Sequence, residues 1–571
     1  MKNTIKSLII WIYLCSGIVA NSQVSPEINP GYLPDDFAPI NAQIFQEPSD
    51  DDYIFFAYMR AWNIYPDLTP YLIIADNYGT PVFYKKFDDD VMDFKLQPNG
   101  MLSYHNSGLN KHLLMDSTYA VTDTISFIGK ALDFHDFQIL SNGNYLLLGI
   151  DYNLVDMDTV VEGGQPGVTI LSNAIQIQDT EENIIFEWSS WDHFQITDSY
   201  ADLLDPGLID VTHTNAVEMD TDSTLLISNR NMYEITKINM NTGEIIWRLG
   251  GKNNMFTYIG EDTLGFAGQH DIRRLPDGTY QLFDNGWNHS PPFSCALQLD
   301  LDEENMTALV VRRLRSQPED ISGYIMGNVQ NLSNGNTMVG WGSGDPNITE
   351  FDSLGNKIIE FSYEAVSYRA FKFTWETRSF DLNRDNLNFE ETQPGDSSSA
   401  VVIITNNLSH SFEINRLISR TGVFVPSENF PVSIPAGGSK VLEILFVPDS
   451  LGMYNDVLTI CNDIENDTLT QRIAKQITVK GRSTEDASIP ENPHIYAYAY
   501  PNPSQGNVTI QFGKPGIKAC KLYDLSGRQI SRFSTQQDFY KLDLSAFESG
   551  IYFLDVTNNE GENEVIKILK Q

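Results

Sequence analysis

Cysteine is scarce in this chain of 571 residues: four in all, Cys15, Cys295, Cys461 and Cys520. Cys15 falls in the N-terminal leader described below, and the other three fall one to a domain. An intradomain disulfide framework and a CxxC metal site are both excluded. Basic residues are also scarce: Lys and Arg number 37 against 76 Asp and Glu, a net charge of −39 spread along the chain rather than held in one tail. Without a basic face, nucleic acid is not expected as a partner. No apolar run after Ala20 is long enough to span a bilayer, so no membrane span is expected in the mature chain. A Walker loop, a GxSxG elbow and an HExxH motif are all missing, which removes the chemistries they serve.

What is present begins with a leader. Lys2 and Lys6 precede an apolar run from Leu8 to Ala20 and a small-residue exit at Ala20 and Ser22. Residues 1–22 therefore read as a secretory signal peptide, and the mature chain as an exported protein that holds together by large cores instead of staples. Hydrophobic residues make up 41% of the sequence and aromatics 11%, a composition that folds. The length implies several domains.

The organising phrase is GQHDIRRLPDGTYQLFDNG, from Gly268 to Gly286, which recurs as HDFQILSNGNYLLLG from His135 to Gly149. Each has two β-prone runs around an Asp-Gly or Asn-Gly turn, the signal of a tight hairpin. Hairpins of this type alternate with a second type, exemplified by EITKINMNTGEIIWRL. The two types occur six times each, the first at Ala38 to Ala57. Repeats carrying four short strands each are the signature of a β-propeller. The expected fold is all-β: an N-terminal segment at 23–38, a six-bladed β-propeller at 39–375, and two small β-sandwich domains. Tyr368 to Trp375 (YRAFKFTW) is a candidate for the closing strand. Residues 385–482 show short alternating strands at sandwich spacing and read as a spacer. Residues 483–496 form a polar, Pro-containing linker, and residues 497–571 a final small β-domain.

The chemistry is sought where blades converge. Counting back eight residues from Gly143 and Gly278 gives His135 and His270, and His213 has the same phase in the less regular copy at Val211 to Arg230. In a propeller such positions line one mouth of a central channel. Arg230 lies opposite His213 across the hairpin, and the same symmetry sets Asn285 opposite His270. Each histidine has a structural reading as well, since His and Asp at fixed places in a blade often form hydrogen-bond networks. Three imidazoles and an arginine at one channel position favour function. Asp136 and Asp271 either fix the tautomer of the histidine beside them or cap the strand. Zinc or copper binding by the three histidines is opposed by the arginine. His193, in WSSWDHF, reads as part of a packed loop or of the channel mouth.

Residues His135 to Asn144, His213 to Arg230, Trp247 to Gly251 (WRLGG) and Gly268 to Gly278, in that order, resemble the arylsulfotransferase family of exported propeller enzymes that work without PAPS. The resemblance implies an aryl sulfate donor, a phenolic acceptor and no cofactor. It implies that His270 is transiently sulfurylated, that His135, His213 and Arg230 support it, and that Asn215 contacts substrate; Asn285, set opposite His270 by hairpin symmetry, is expected to contact substrate as well. IPAGGSKVLEILFVPDSLGMY, within 385–482, resembles immunoglobulin-like modules of the ASPM and hydin type. YPNPSQG, KLYDLSGR, LDLSAFESGIYFLDV and VIKILKQ resemble the C-terminal sorting domain of the type IX secretion system of Bacteroidetes. That resemblance implies the type IX machinery as a partner and a secreted or cell-surface location. Two other functions compete with transfer: a non-catalytic propeller that binds glycan or protein, and an aryl sulfate hydrolase.

Overall fold

The computed structural model describes residues 23–24, 32–61, 64–221, 223–485, 497–513, 516, 518–559 and 563–571. The expected signal peptide at 1–22, with Cys15, lies outside the described residues, as do 25–31 of the N-terminal segment and 486–496 of the linker. The chain is all-β. Cys295, Cys461 and Cys520 are buried free thiols.

Between residues 53 and 373 the strands form six antiparallel four-strand sets that follow one another in the manner of a propeller. The second set is Val91–Leu96, Leu102–Asn106, Lys111–Met115 and Val121–Ile125. The third runs from Ala131–Ile139 to Ile184–Ser189, the fourth from Thr214–Thr221 to Ile245–Gly250, the fifth from His270–Arg274 to Thr307–Leu314, and the sixth from Asn328–Asn331 to Lys357–Ser362. The first set takes Tyr53–Tyr58, Tyr71–Ala75 and Pro81–Lys86 from the start of the chain, and Phe371–Phe373 from the far end supplies its fourth strand, with Phe371 opposite Phe55. Neighbouring sets touch in sequence order, and the sixth touches the first through Thr337–Gly340 and Phe371–Phe373, so the ring is closed. Asn41–Ile44 adds a second clasp on the edge of the sixth set. The first expected hairpin, Ala38 to Ala57, is therefore not a hairpin: its strands lie in different sets, because closure separates them.

Packing explains the apolar runs. A sheet covered on both faces sends successive residues into different cores. Leu146 and Leu148 pack with Val217, Leu225 and Ile227 of the fourth set, while Leu147 packs with Phe137 and with Leu114 of the second. Leu226, between Leu225 and Ile227, turns instead to Ile272 and Leu282 of the fifth. The repeated Asn-Gly and Asp-Gly turns share one geometry. The Gly143 N–H donates to the Leu140 carbonyl at 2.8 Å and the Gly278 N–H to the Leu275 carbonyl at 3.0 Å, with φ of 88° and 92° at the glycines. Only glycine takes that conformation at no steric cost.

The segment read as a spacer is continuous with the ring. Gln471, Arg472 and Ile473 pair with Lys85, Tyr84 and Phe83, which extends the first sheet into the sandwich of residues 380–483. One core joins Phe55, Phe83 and Phe94 of the ring to Val402, Ile444 and Ile477 of the sandwich. The last domain has two sheets of its own around Val508, Leu522, Leu544 and Leu554. Among the described residues no helix is long and apolar enough to cross a membrane.

Candidate active site

The innermost strands begin at one mouth of the ring, and those of the second to fifth sets each meet their neighbour through a register shift. Bulges interrupt the pairing between Leu132 and Phe137, between Thr214 and Ala216, and between His270 and Arg273. A bulge re-aims side chains that a regular pleat would send alternately to the two faces. Here it turns the histidines together: the His135 and His213 rings lie 4.8 Å apart, edge to face. His213 takes φ of 48°, and Asp271, next to His270, takes 61°. Such backbone strain costs of the order of 1–3 kcal/mol per residue and persists only where the surroundings impose it.

Each imidazole is oriented by a different partner. His135 Nδ1 lies 2.5 Å from Asp133 Oδ1, and the other oxygen of Asp133 accepts from Asn173 Nδ2 at 2.7 Å. His213 Nδ1 lies 2.5 Å from Asp210 Oδ2, and its Nε2 lies 3.1 Å from Arg230 Nη1. The guanidinium only donates, so His213 accepts at Nε2 and carries its proton at Nδ1. His270 Nδ1 faces Asn285 Oδ1 at 2.8 Å and the Gly268 carbonyl at 3.1 Å. Asn285 Nδ2 donates to the carbonyls of Gly323 and Met326 at 2.7 and 2.9 Å, so its oxygen is the atom turned to the histidine. Both neighbours of His270 Nδ1 are acceptors. The proton sits at Nδ1 and the lone pair at Nε2.

The electrostatics act in the same sense. Burial, then the Arg230 cation, hold the pKa of His270 well below the ordinary imidazole value. Burial also lowers that of His213, against the opposing pull of Asp210. Although burial alone would raise Asp133, the His135 imidazole keeps its carboxyl below the usual value. Arg230 stacks 4.5 Å from the centre of the Trp287 ring, and its buried Nε has no hydrogen-bond partner.

The structure thus brings together His135, His213, His270 and Arg230. The expected pairing of His213 with Arg230 is present, with the Arg230 N–H donating to the His213 carbonyl at 3.2 Å. Asn285 meets His270 by its side chain only, since the Cα partner of His270 is Phe283. The expectation of substrate contact for Asn285 is at odds with these bonds, which occupy both ends of its amide. Asn215 Nδ2 donates to the Gln269 carbonyl at 2.8 Å and its backbone carbonyl accepts from Arg369 at 2.9 Å, while its buried Oδ1 has no hydrogen-bond partner among the described residues. Asp136 and Asp271 neither orient a histidine nor cap a strand end. Asp136 accepts from the Val217 N–H at 3.1 Å and Asp271 from the Val329 N–H at 3.2 Å, each in the next sheet. The carboxylates that serve the histidines are Asp133 and Asp210, which sequence reasoning missed. They stand two and three residues before His135 and His213, so D-x-H and D-x-x-H were the available signals. His193 is fixed away from the cluster, its Nε2 2.8 Å from the Gly243 carbonyl and its ring against Trp188. Among the described residues no three His, Cys, Asp or Glu side chains are placed to hold a metal ion.

Fold and site together define an all-β ring with an imidazole–guanidinium cluster at its mouth. The family model described as arylsulfotransferase (ASST) matches residues 104–364, and the model described as secretion system C-terminal sorting domain matches residues 498–571. The sorting domain directs export to the cell surface or secretion. Among solved structures, similar chains include a protein of unknown function from Bacteroides caccae (12% identity, covering 57% of this chain and 99% of that one, TM-score 0.37). Others are a gluconolactonase from Xanthomonas campestris (9% identity, 73% and 99%, TM-score 0.31) and the ASH/PapD-like domain of human CEP192 (15% identity, 19% and 87%, TM-score 0.16). No curated protein matches the chain.

Proposed function

We propose that the protein is an exported aryl-sulfate sulfotransferase working through a sulfohistidine at His270. The observation that carries this reading is the fixed tautomer of His270, whose Nδ1 proton is held by Asn285 and Gly268 and whose Nε2 lone pair is left for attack. Its lowered pKa keeps that lone pair available near neutral pH.

In the first half-reaction Nε2 of His270 attacks the sulfur of an aryl sulfate. The N–S bond forms, the S–O bond to the aryl group breaks, and the electron pair leaves on the phenolic oxygen. His135, protonated at Nε2 and held at Nδ1 by Asp133, passes a proton to that oxygen. In the second half-reaction an acceptor phenol gives its proton to His135 and attacks the same sulfur, and the N–S pair returns to His270. Sulfuryl transfer resembles phosphoryl transfer, with charge spread over the equatorial oxygens, so a planar cation beside the nucleophile is the most useful single donor. Arg230 has that place, and His213, held by Asp210, braces it by accepting from Nη1. The covalent intermediate splits one transfer into two steps.

The experiment is mass spectrometry of protein quenched after mixing with para-nitrophenyl sulfate and no acceptor. One sulfuryl group on the peptide containing His270 is expected, with phenol release accelerated by a second phenol. A hydrolase would be indifferent to the second phenol, and a binding protein would release none. Full activity in His270→Ala would refute the mechanism.

A further inference from the structure

Four aromatic rings beside Arg230 pack into none of the hydrophobic cores. Trp287 lies against the Arg230 guanidinium, with Tyr324 stacked on it at 4.9 Å between centroids and 15° between planes. Tyr233 meets Trp287 edge-on at 6.0 Å, and Tyr200 stacks on Tyr233 at 4.4 Å and 10°. Tyr324 is 60% exposed and Tyr200 47%. These rings are anchored to the segments that carry the site. A Cβ on Gly268 would come within 2.6 Å of the Trp287 ring, so the indole lies directly on the backbone two residues before His270. Trp287 Nε1 donates to the Tyr324 carbonyl at 2.6 Å. The Tyr233 N–H donates to the Arg230 carbonyl at 3.1 Å and the Tyr200 N–H to the Asn231 carbonyl at 2.8 Å.

Flat apolar rings held rigidly at the edge of a polar site and left open to water are what recognition of another flat ring requires. A single phenyl ring beside Arg230 would meet Trp287 only at its edge, since the indole already carries Arg230 and Tyr324, and would leave Tyr324 and Tyr200 uncovered. The run of rings is longer than that. Resting on the sulfuryl-transfer reading above, we propose that this wall selects extended aryl substrates, phenols of two or more rings, with the edge of Trp287 bordering the reacting ring, Tyr324 stacking on the next and Tyr200, set nearly perpendicular to Tyr324, meeting that ring edge-on. Lys252, with Nζ 4.8 Å from the centre of the Tyr200 ring, closes the far end of the wall.

The test uses the full-length protein, para-nitrophenyl sulfate as donor, and phenol or para-phenylphenol as acceptor. The expected result is a preference for the two-ring acceptor in kcat/KM, with the two-ring to one-ring ratio falling about 3- to 10-fold in Tyr324→Ala and in Tyr200→Ala, the range of one aromatic contact. A second measurement does not depend on turnover: quenching of the fluorescence that is lost in Trp287→Phe, titrated with each phenol alone. Tighter quenching by para-phenylphenol, weakened in Tyr324→Ala, supports the wall even if no sulfuryl group moves, in which case only the transferase reading falls. Transfer with equal efficiency to both acceptors, and an unchanged ratio in both tyrosine variants, overturns the wall and leaves the transferase reading standing. Absence of both turnover and ring-dependent quenching overturns the wall as well.

Discussion

Two clusters of polar side chains are built from neighbouring positions on the same strands of the ring, and they are paired in different ways. At the mouth stand His135, His213, His270 and Arg230. One residue further along the same strands are Asp136 and Asp271, with Asn215 two residues past His213, joined by Asp93, Lys95, Arg273 and, from the closing strand, Arg369. In this deeper cluster Asp136 meets Lys95 at 3.0 Å, Arg369 at 3.1 Å and Arg273 at 2.9 Å, and takes a backbone N–H besides. Arg369, wholly buried, also reaches Asp93 at 3.0 Å and lies 3.4 Å from Asp271. Every group there is paired across sheets. At the mouth, by contrast, each imidazole is fixed at Nδ1 by a neutral or acidic partner, His213 also meets Arg230 at Nε2, and among the described residues no protein hydrogen bond is made by Nε2 of His270. Dense ion pairing clamps neighbouring sheets together; a fixed ring with one unused nitrogen is what the proposed chemistry requires.

Substitutions should separate the two clusters. The largest effect belongs to His270→Ala, which removes the proposed nucleophile. Turnover should fall by about 10⁴-fold or more, as for other nucleophiles that act in a unit, while the melting transition moves little. His135→Ala should lose about 10²- to 10⁴-fold if its role is proton transfer. That loss should be larger with phenyl sulfate than with para-nitrophenyl sulfate, whose leaving group needs less protonation. Equal losses with both donors would assign His135 to binding instead. Arg369→Met should act on the fold. Removing one partner of a buried ion network typically costs about 3–5 kcal/mol, so a lower melting temperature is expected in a thermal scan. An unchanged melt would mean that the deeper cluster does not clamp the ring.

The unequal legibility of these clusters has a physical cause. The histidines were readable because the hairpins repeat, and a fixed count from the turn glycine fixes the phase of the strand. His213 and Arg230 were placed opposite each other for the same reason. Asn285 was expected opposite His270, but the bulge between His270 and Arg273 shifts the register, so the two meet only by their side chains. Asp133 and Asp210 precede the regular part of their strands, where the repeat gives no phase, and so went unread. Arg369 lies in YRAFKFTW, which is far from its partners in sequence and reaches them only through closure of the ring. The sandwich segment was legible as alternating strands. Its fusion to the first sheet through Arg472 and Tyr84 was not, because edge pairing between distant strands leaves no local pattern.

The smallest predicted effect sharpens the comparison from the side of the deeper cluster. Lys95, Arg273 and Arg369 face three buried aspartates, Asp93, Asp136 and Asp271, and Glu218 is a fourth acid without a cation of its own. It lies 3.7 Å from Arg273, which is already engaged by Asp136 and Asp271, and it accepts from Gln138 at 3.2 Å. Burial, only partly opposed by Arg273, holds its pKa up at about 7 against an ordinary 4.5. A raised carboxyl keeps its proton in the folded state after the unfolded chain has released it. Its contribution is therefore neutral below pH 4.5 and becomes progressively destabilising as pH rises to about 7. By linkage the full penalty is about 3 kcal/mol at most. Glu218→Gln keeps an acceptor for Gln138 and removes the titration. The variant and the parent should melt together near pH 4.5, and the variant should gain stability over the parent as pH rises, levelling above pH 7. Parallel melting curves across that range would show that Glu218 is ionised in the fold at neutral pH and that the cluster carries a net negative charge.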